Sequence, residues 1–250
     1  MVTNTFPDAA LGAPRQDLTS LLSRFTWLDP WGPAPVQTSH IQLRLTGRNG
    51  PAQLDEIDHV KQVHGTTIVK ACKDTEAHSE HRLAADGIWT DQKNRWIGVK
   101  TADCLPVLLA GRTAVAAIHA GWRGLTSGIL GIGVAKMLQV DGSPHQTPLR
   151  AWIGPAISQA RYEVGPEVVT ALFGPDSGLD AVSASLCLAR GPGIRWLVDL
   201  QLAAALVLIR SGVAPEQISI VRACTTEELW FSYRRDGRVV GSNVFSIRLV

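Results

Sequence analysis

The chain has 250 residues, 45% of them apolar, with a formal net charge of +2. That is enough apolar material for one sizeable core. The thin charge, without a Lys/Arg run or aromatic–basic alternation, excludes a nucleic-acid groove, and the longest apolar run, Leu202–Ile209, is too short to span a bilayer.

The opening MVTNTFPDAALGAPRQ has neither a basic start nor an apolar core, so no export signal is expected. Cysteines at 72, 104, 187 and 224 lack C-x-x-C spacing, which predicts reduced thiols and a cytoplasmic protein. Pro/Gly clusters at 30–35, 141–148 and 174–178 read as loops within one domain, and no repeat is present. Thr66–Val69 reads as a strand, and His78 and His81 fall in a polar, loop-like run. Ile97–Thr101, Leu105–Leu109 and Ala114–Ile118 read as strands, the last two forming a hairpin around Gly111. Leu125–Val140 follows as a helix weakened by Gly128, Gly131 and Gly133, glycines that permit close packing against a sheet. Ala151–Ile153 is a short strand. Pro166–Phe173 is a helix with proline in its first turn, and Asp199 caps a helix over Leu200–Arg210. Ile218–Val221 and Val239–Leu249 complete the strands. This mixed order predicts α/β or α+β, in a single domain with mixed sheets.

The most informative stretch is Lys100–Gly124. Cys104 enters one strand of the hairpin and His119 leaves the other, so an antiparallel pairing brings thiol and imidazole to one edge. Together they permit either an activated thiolate or a metal site. His64, ahead of another strand, supplies a third donor and leaves a fourth position open for water or substrate. Asp103, next to Cys104, can orient a ligand histidine or serve as a base. Asp86, in Ala-Asp-Gly, can simply make a turn. Arg123 lies between glycines at the start of the helix, where guanidinium and backbone N–H groups together suit an anion. Arg234 and Arg235 fall on opposite faces if extended, so one of them reaches the site. Cys224 reads as a packed small hydrophobe, and Cys72 and Cys187 as structural.

Gln62-Val63-His64-Gly65, Ala85-Asp86-Gly87, Thr101-Ala102-Asp103-Cys104-Leu105-Pro106 and Ile118-His119-Ala120-Gly121-Trp122-Arg123-Gly124 occur in this order. They are followed by Ile153-Gly154-Pro155-Ala156-Ile157, Tyr162-Glu163-Val164, Cys224-Thr225 and Phe231-Ser232-Tyr233-Arg234-Arg235-Asp236-Gly237. The series resembles the YfiH-type family, also called the laccase-domain or polyphenol oxidase family. The likeness covers 62–250, a YfiH-type catalytic domain, whereas 1–61 form a divergent N-terminal segment of the same domain. The resemblance implies an α/β/β/α layered sandwich and zinc held by His64, Cys104 and His119.

It also implies phosphorolysis of adenosine, inosine or methylthioadenosine, with linked adenosine deamination. Purine nucleoside and phosphate would then be the small-molecule partners, and Cys104, His119 and Asp103 the candidate catalytic groups. Arg123, Arg234 and Arg235 would be the phosphate candidates. Two alternatives stay open: a cysteine-type hydrolase editing cell-wall peptidoglycan precursors, and a copper-dependent polyphenol oxidase. Copper can occupy such a site by the Irving–Williams preference, but a multicopper oxidase needs several ions. No dinucleotide loop, P-loop, GxSxG elbow or H-x-E…P-C-x-x-C deaminase pair is present.

Overall fold

A computed structural model of the chain describes residues 23–28, 40–48, 54–142, 149–175, 177, 179–237 and 241–250. The opening MVTNTFPDAALGAPRQ lies outside these residues, as do the 30–35 cluster, most of 141–148, part of 174–178 and the first residues of the Val239–Leu249 run.

In chain order the elements begin with β1 (Thr26–Leu28), β2 (Ile41–Thr46), β3 (Ile57–Asp58), β4 (Ile68–Lys70), β5 (Gly87–Thr90), β6 (Trp96–Thr101), β7 (Leu105–Ala110) and β8 (Val115–Ala120). Then come α1 (Trp122–Thr126), α2 (Ile129–Asp141), β9 (Arg150–Ile153), β10 (Glu163–Val164), α3 (Pro166–Phe173), α4 (Ala181–Cys187), β11 (Leu188–Arg190) and β12 (Trp196–Val198). The described chain closes with α5 (Leu200–Arg210), β13 (Ile218–Val221), α6 (Tyr233–Asp236) and β14 (Asn243–Leu249).

Seven strands form the main sheet in the order β1-β13-β9-β7-β8-β5-β4. At its centre β7 and β8 form the expected hairpin, with Leu105 opposite Ala120 and Pro106 opposite His119. Every residue of both strands is buried, because each sheet face has its own cover. Leu105, Val107, Leu109, Ala116 and Ile118 pack in one core with α2 and α5. Leu108, Ala110, Val115 and Ala117 pack in the other, against the four-stranded sheet β2-β14-β6-β3. Burial on both sides explains why these strands read as near-continuous apolar runs rather than alternating ones. A short antiparallel sheet, β10-β12-β11, lies beside α3 and α4.

The layered α/β arrangement with mixed sheets in one domain is therefore observed. The outer face of the smaller sheet carries Trp96, with the guanidinium groups of Arg44 and Arg248 4.1 and 4.8 Å from its ring centroid.

Three expectations shift. The helix expected over Leu125–Val140 is two helices, broken where Gly128 takes φ +84°. That left-handed turn suits a residue without Cβ. It re-aims α2 along β8, where a Cβ on Gly133 would meet Ile118 Cδ1 at 2.3 Å. The second hairpin strand runs to Ala120, so His119 lies inside it rather than past its end. The Thr66–Val69 strand is β4, starting at Ile68. By contrast, α5 has the expected limits, and Asp199 caps it by accepting a hydrogen bond from Leu202 N at 2.9 Å.

One buried histidine ties the fold to pH. His59 is 4% exposed, with Nδ1 2.9 Å from the Ile57 carbonyl and Nε2 2.9 Å from Lys100 Nζ. An ammonium can only donate, so Nε2 accepts and Nδ1 carries the proton. Burial, reinforced by the Lys100 and Arg82 charges, lowers its pKa to about 4. The folded value lies below the unfolded one of about 6.5, so the unfolded chain takes up the proton first as pH falls. Stability on this account is full above about pH 6.5 and declines toward pH 4, by on the order of 3 kcal/mol. Urea unfolding of the parent and His59→Gln across that range should show a shallower acid loss in the variant.

Candidate metal centre

The hairpin register delivers the convergence of Cys104 and His119. Cys104 immediately precedes β7, and His119 sits one residue before the end of β8, opposite Pro106. His64 arrives from the loop ahead of β4. The donor atoms of His64, Cys104 and His119 all lie within 4.8 Å of one another. Cys104 Sγ is 4.0 Å from His64 Nε2, and the two imidazoles meet edge to face with centroids 4.9 Å apart. Among the described residues this is the one group of three or more His, Cys or acidic side chains with such geometry.

Asp86 holds the group together. It ends the Ala-Asp segment just before β5 and is fully buried. Its Oδ1 accepts from His64 N at 2.9 Å and faces His119 Nδ1 at 2.8 Å. Its Oδ2 accepts from Val63 N at 3.2 Å and Gly65 N at 2.6 Å. The backbone adds another tie, His119 N donating to Asp86 O at 2.7 Å. Burial alone would raise this carboxyl, but the bonds from His119, Gly65, Val63 and His64 outweigh it and hold it below the usual carboxylate range. Because Nδ1 of His119 is engaged, Nε2 is the nitrogen free to act. The turn reading of Asp86 therefore understates it: its carboxylate both shapes the His64 loop and sets the His119 tautomer.

Asp103 does something different from what its position suggested. Its Oδ1 accepts from the Thr225 hydroxyl at 2.6 Å and its Oδ2 from Arg234 N at 2.6 Å. Among the described residues its side chain bonds no histidine; it fastens the Cys104 loop to the 225 and 234 segments. Three non-glycine residues among those described have positive φ, and two are here: His64 at 61° and Asp103 at 95°. Such backbone costs about 1–3 kcal/mol each and persists where surrounding bonds over-determine it. At both positions those bonds run to or from Asp86 and Asp103.

The electrostatics follow from this packing. Burial would raise the Cys104 thiol, but hydrogen bonds and charge from His119 and His64 bring it down to about 7. For His119, burial lowers the pKa while Asp86 and Cys104 raise it, and the raising side prevails at about 9. A thiolate and two orientable imidazoles are the donors that a four-coordinate site with one open position requires. Gly121 keeps the space clear: a Cβ there would sit 3.0 Å from Cys104 Sγ and 3.2 Å from His64 Cδ2.

The group opens into a cleft of about 580 Å³. Arg123, Tyr162, Tyr233 and Arg234 stand around it with Gln62 and Lys100. Arg123 is the second residue of α1, which has five residues, so its anion-binding capacity rests on the guanidinium, 4.5 Å from the Trp122 ring centroid. Arg234 is steadied by the carbonyls of Arg161 and Glu163, both at 3.2 Å. Burial, then the Cys104 charge, push the Tyr162 hydroxyl above its usual range, keeping it a proton donor.

Arg234 and Arg235 lie on the short helix α6, not on a strand, and they do diverge. Arg235 bonds the carbonyls of Thr226, Glu227 and Trp230 and pairs with Asp236, away from the cleft wall. Cys224 accepts from Ser158 N at 3.3 Å, outside the donor group, and Cys187 is fully buried. His78 and His81 are exposed, as expected.

Fold and site together define a layered α/β protein in which the central hairpin and the loop ahead of β4 present a two-histidine, one-cysteine donor group to a cationic cleft. Over residues 41–249 the sequence matches the family described as multi-copper polyphenol oxidoreductase laccase, and the chain belongs to that family. It is similar to the purine nucleoside phosphorylase of Xylella fastidiosa (strain 9a5c), with 35% identity covering 83% of this chain and 77% of the relative. Purine nucleoside phosphorylase YfiH of Escherichia coli (strain K12) is 37% identical over 71% of this chain and 68% of its own. Among solved structures, the hypothetical protein YfiH of Bacillus licheniformis superposes with a TM-score of 0.71 at 28% identity, covering 79% of this chain and 76% of that one.

Proposed function

We propose that this chain is a zinc-dependent purine nucleoside phosphorylase acting on adenosine, inosine and methylthioadenosine, with adenosine deamination as a linked activity. One observation carries the reading: the His64, Cys104 and His119 donors face the same cleft as Arg123 and Arg234. The names of the relatives supply the reaction class.

In phosphorolysis a phosphate oxygen attacks C1′ of the ribose, the C1′–N9 bond breaks, and its electron pair leaves with the purine. Arg123 and Arg234 hold the phosphate and spread its charge. Tyr162 and Tyr233 offer aromatic faces and hydroxyl groups to the base and ribose. Asp86 keeps His119 in the tautomer that presents Nε2. Zinc, when bound by His64, Cys104 and His119, supplies Lewis acidity at the open end of the site. Free thiols at Cys72, Cys104, Cys187 and Cys224 suit a reducing compartment, and we place the protein in the cytoplasm. No helix among the described residues is long and apolar enough to cross a membrane.

The lowered thiol pKa of Cys104 favours a second reading, a cysteine-type hydrolase with His119 as base. A single three-donor group among the described residues gives little support to multicopper phenol oxidation.

Incubating metal-analysed protein with adenosine, with and without phosphate, separates these readings. Ribose 1-phosphate and adenine are expected only when phosphate is present, and inosine reports deamination. In the same assay Arg123→Ala should weaken phosphate saturation by about ten- to a hundredfold, the value of one charge-assisted contact, while nucleoside saturation changes little. An unaltered phosphate dependence in that variant moves the anion to Arg234. Absence of every product from the purine nucleosides rejects the phosphorylase reading.

A further inference from the structure

A second cavity, about 610 Å³, adjoins the metal-site cleft and shares Gln62, Lys100 and Ser242 with it. Its wall is cationic: Lys61 and Arg82 join Lys100, and Glu80 is the one carboxylate among the described residues of that wall. No ion pair to Lys61, Arg82 or Lys100 occurs among the described residues. Arg82 gives one hydrogen bond to the Ala77 carbonyl, and its buried Nε finds no protein acceptor.

Lys100 is held in place on purpose-built contacts. The Gln62 side chain bonds both its backbone N (2.8 Å) and its carbonyl (2.7 Å), and His59 accepts from its ammonium. That leaves two of the three ammonium protons for an acceptor. Uncompensated charges in a recess that joins the cleft call for an anion on the substrate itself.

We infer that this annex is an anion subsite that receives a phosphate monoester carried by a nucleoside, so that a purine nucleoside 5′-phosphate binds more tightly than the bare nucleoside. The proposal rests on the nucleoside reading above and adds a ligand class to it. Lys100 stands at the junction, where it meets the ester, and Lys61 and Arg82 surround the terminal oxygens. The ribose and its glycosidic bond remain beside the metal donors. Inorganic phosphate, the second reactant, is held separately by Arg123 and Arg234.

The test is equilibrium binding by the metal-loaded protein of three probes: adenosine, adenosine 5′-monophosphate and inorganic pyrophosphate. Each is measured with the parent, Lys61→Gln and Lys61→Gln/Arg82→Gln. The monophosphate should bind about ten- to a hundredfold more tightly than adenosine, with the advantage shrinking in the single variant and lost in the double. Adenosine affinity should be unchanged, which also shows that the variants are folded. If adenosine binds and the monophosphate binds no better, the annex proposal is overturned while the nucleoside reading stands. If adenosine fails to bind but pyrophosphate binds in a Lys61-dependent way, the nucleoside reading falls and the anion subsite survives. No binding of any probe rejects both.

Discussion

Replacing Asp86 with alanine is expected to weaken metal binding by about 10–100-fold and to destabilise the protein before any metal is added. The carboxylate is fully buried and engages three backbone N–H groups and one imidazole. Removing it leaves those donors unsatisfied and frees the left-handed His64 backbone to relax. Breaking a buried charged network of this kind costs about 3–5 kcal/mol. Loss of a partner that orients a metal ligand lowers metal affinity by about 10–100-fold. Thermal unfolding of the chelated proteins isolates the first effect, and competition with a zinc indicator measures the second. Asp86→Asn should fall between, since the amide keeps one acceptor oxygen but turns a donor toward N–H groups. A chelated Asp86→Ala protein as stable as the parent would remove Asp86 from its central place.

The second large effect concerns Cys104. Alanine at Cys104, His64 or His119 should each remove most of the bound metal, whereas His78→Ala and His81→Ala should retain it. A thiolate bound to a metal has its electron pair engaged, while a catalytic thiolate must be free to attack. Iodoacetamide should therefore label Cys104 slowly in metal-loaded protein and faster after chelation. Chelation should abolish activity and zinc restore it. Rapid labelling of the loaded protein, with turnover that survives chelators, would replace this mechanism with the hydrolase reading.

How much of this was legible in the sequence depends on how local the information is. The approach of Cys104 to His119 follows from a hairpin a few residues across, and strict strand periodicity fixes it. The role of Asp86 is not written locally. It emerges because β4 pairs parallel to β5 while β5 pairs antiparallel to β8, which sets Gly87 opposite both Ile68 and Ile118. Ala-Asp-Gly alone carries no trace of that three-strand junction. Arg234 and Arg235 illustrate the same limit: adjacent arginines read as alternating on a strand, yet they diverge on a single helical turn. Gln62 belongs to the Gln-Val-His-Gly motif, but its clamp on Lys100 appears only when the loop before His64 meets β6.

The four-stranded sheet holds the pairing most distant in sequence among the described strands of the two larger sheets. β14 lies between β2 and β6, so strands about 200 residues apart in sequence must meet before the sheet closes. The residues that lock Asp103, Thr225 and Arg234, belong to the same late portion of the chain. During synthesis the residues of the donor hairpin are therefore made well before Tyr233, Arg234 and Ser242, which complete the wall of the cleft. The three candidate metal donors are thus made early in the chain, yet the contacts that fasten Asp103 form only once Thr225 and Arg234 have been made.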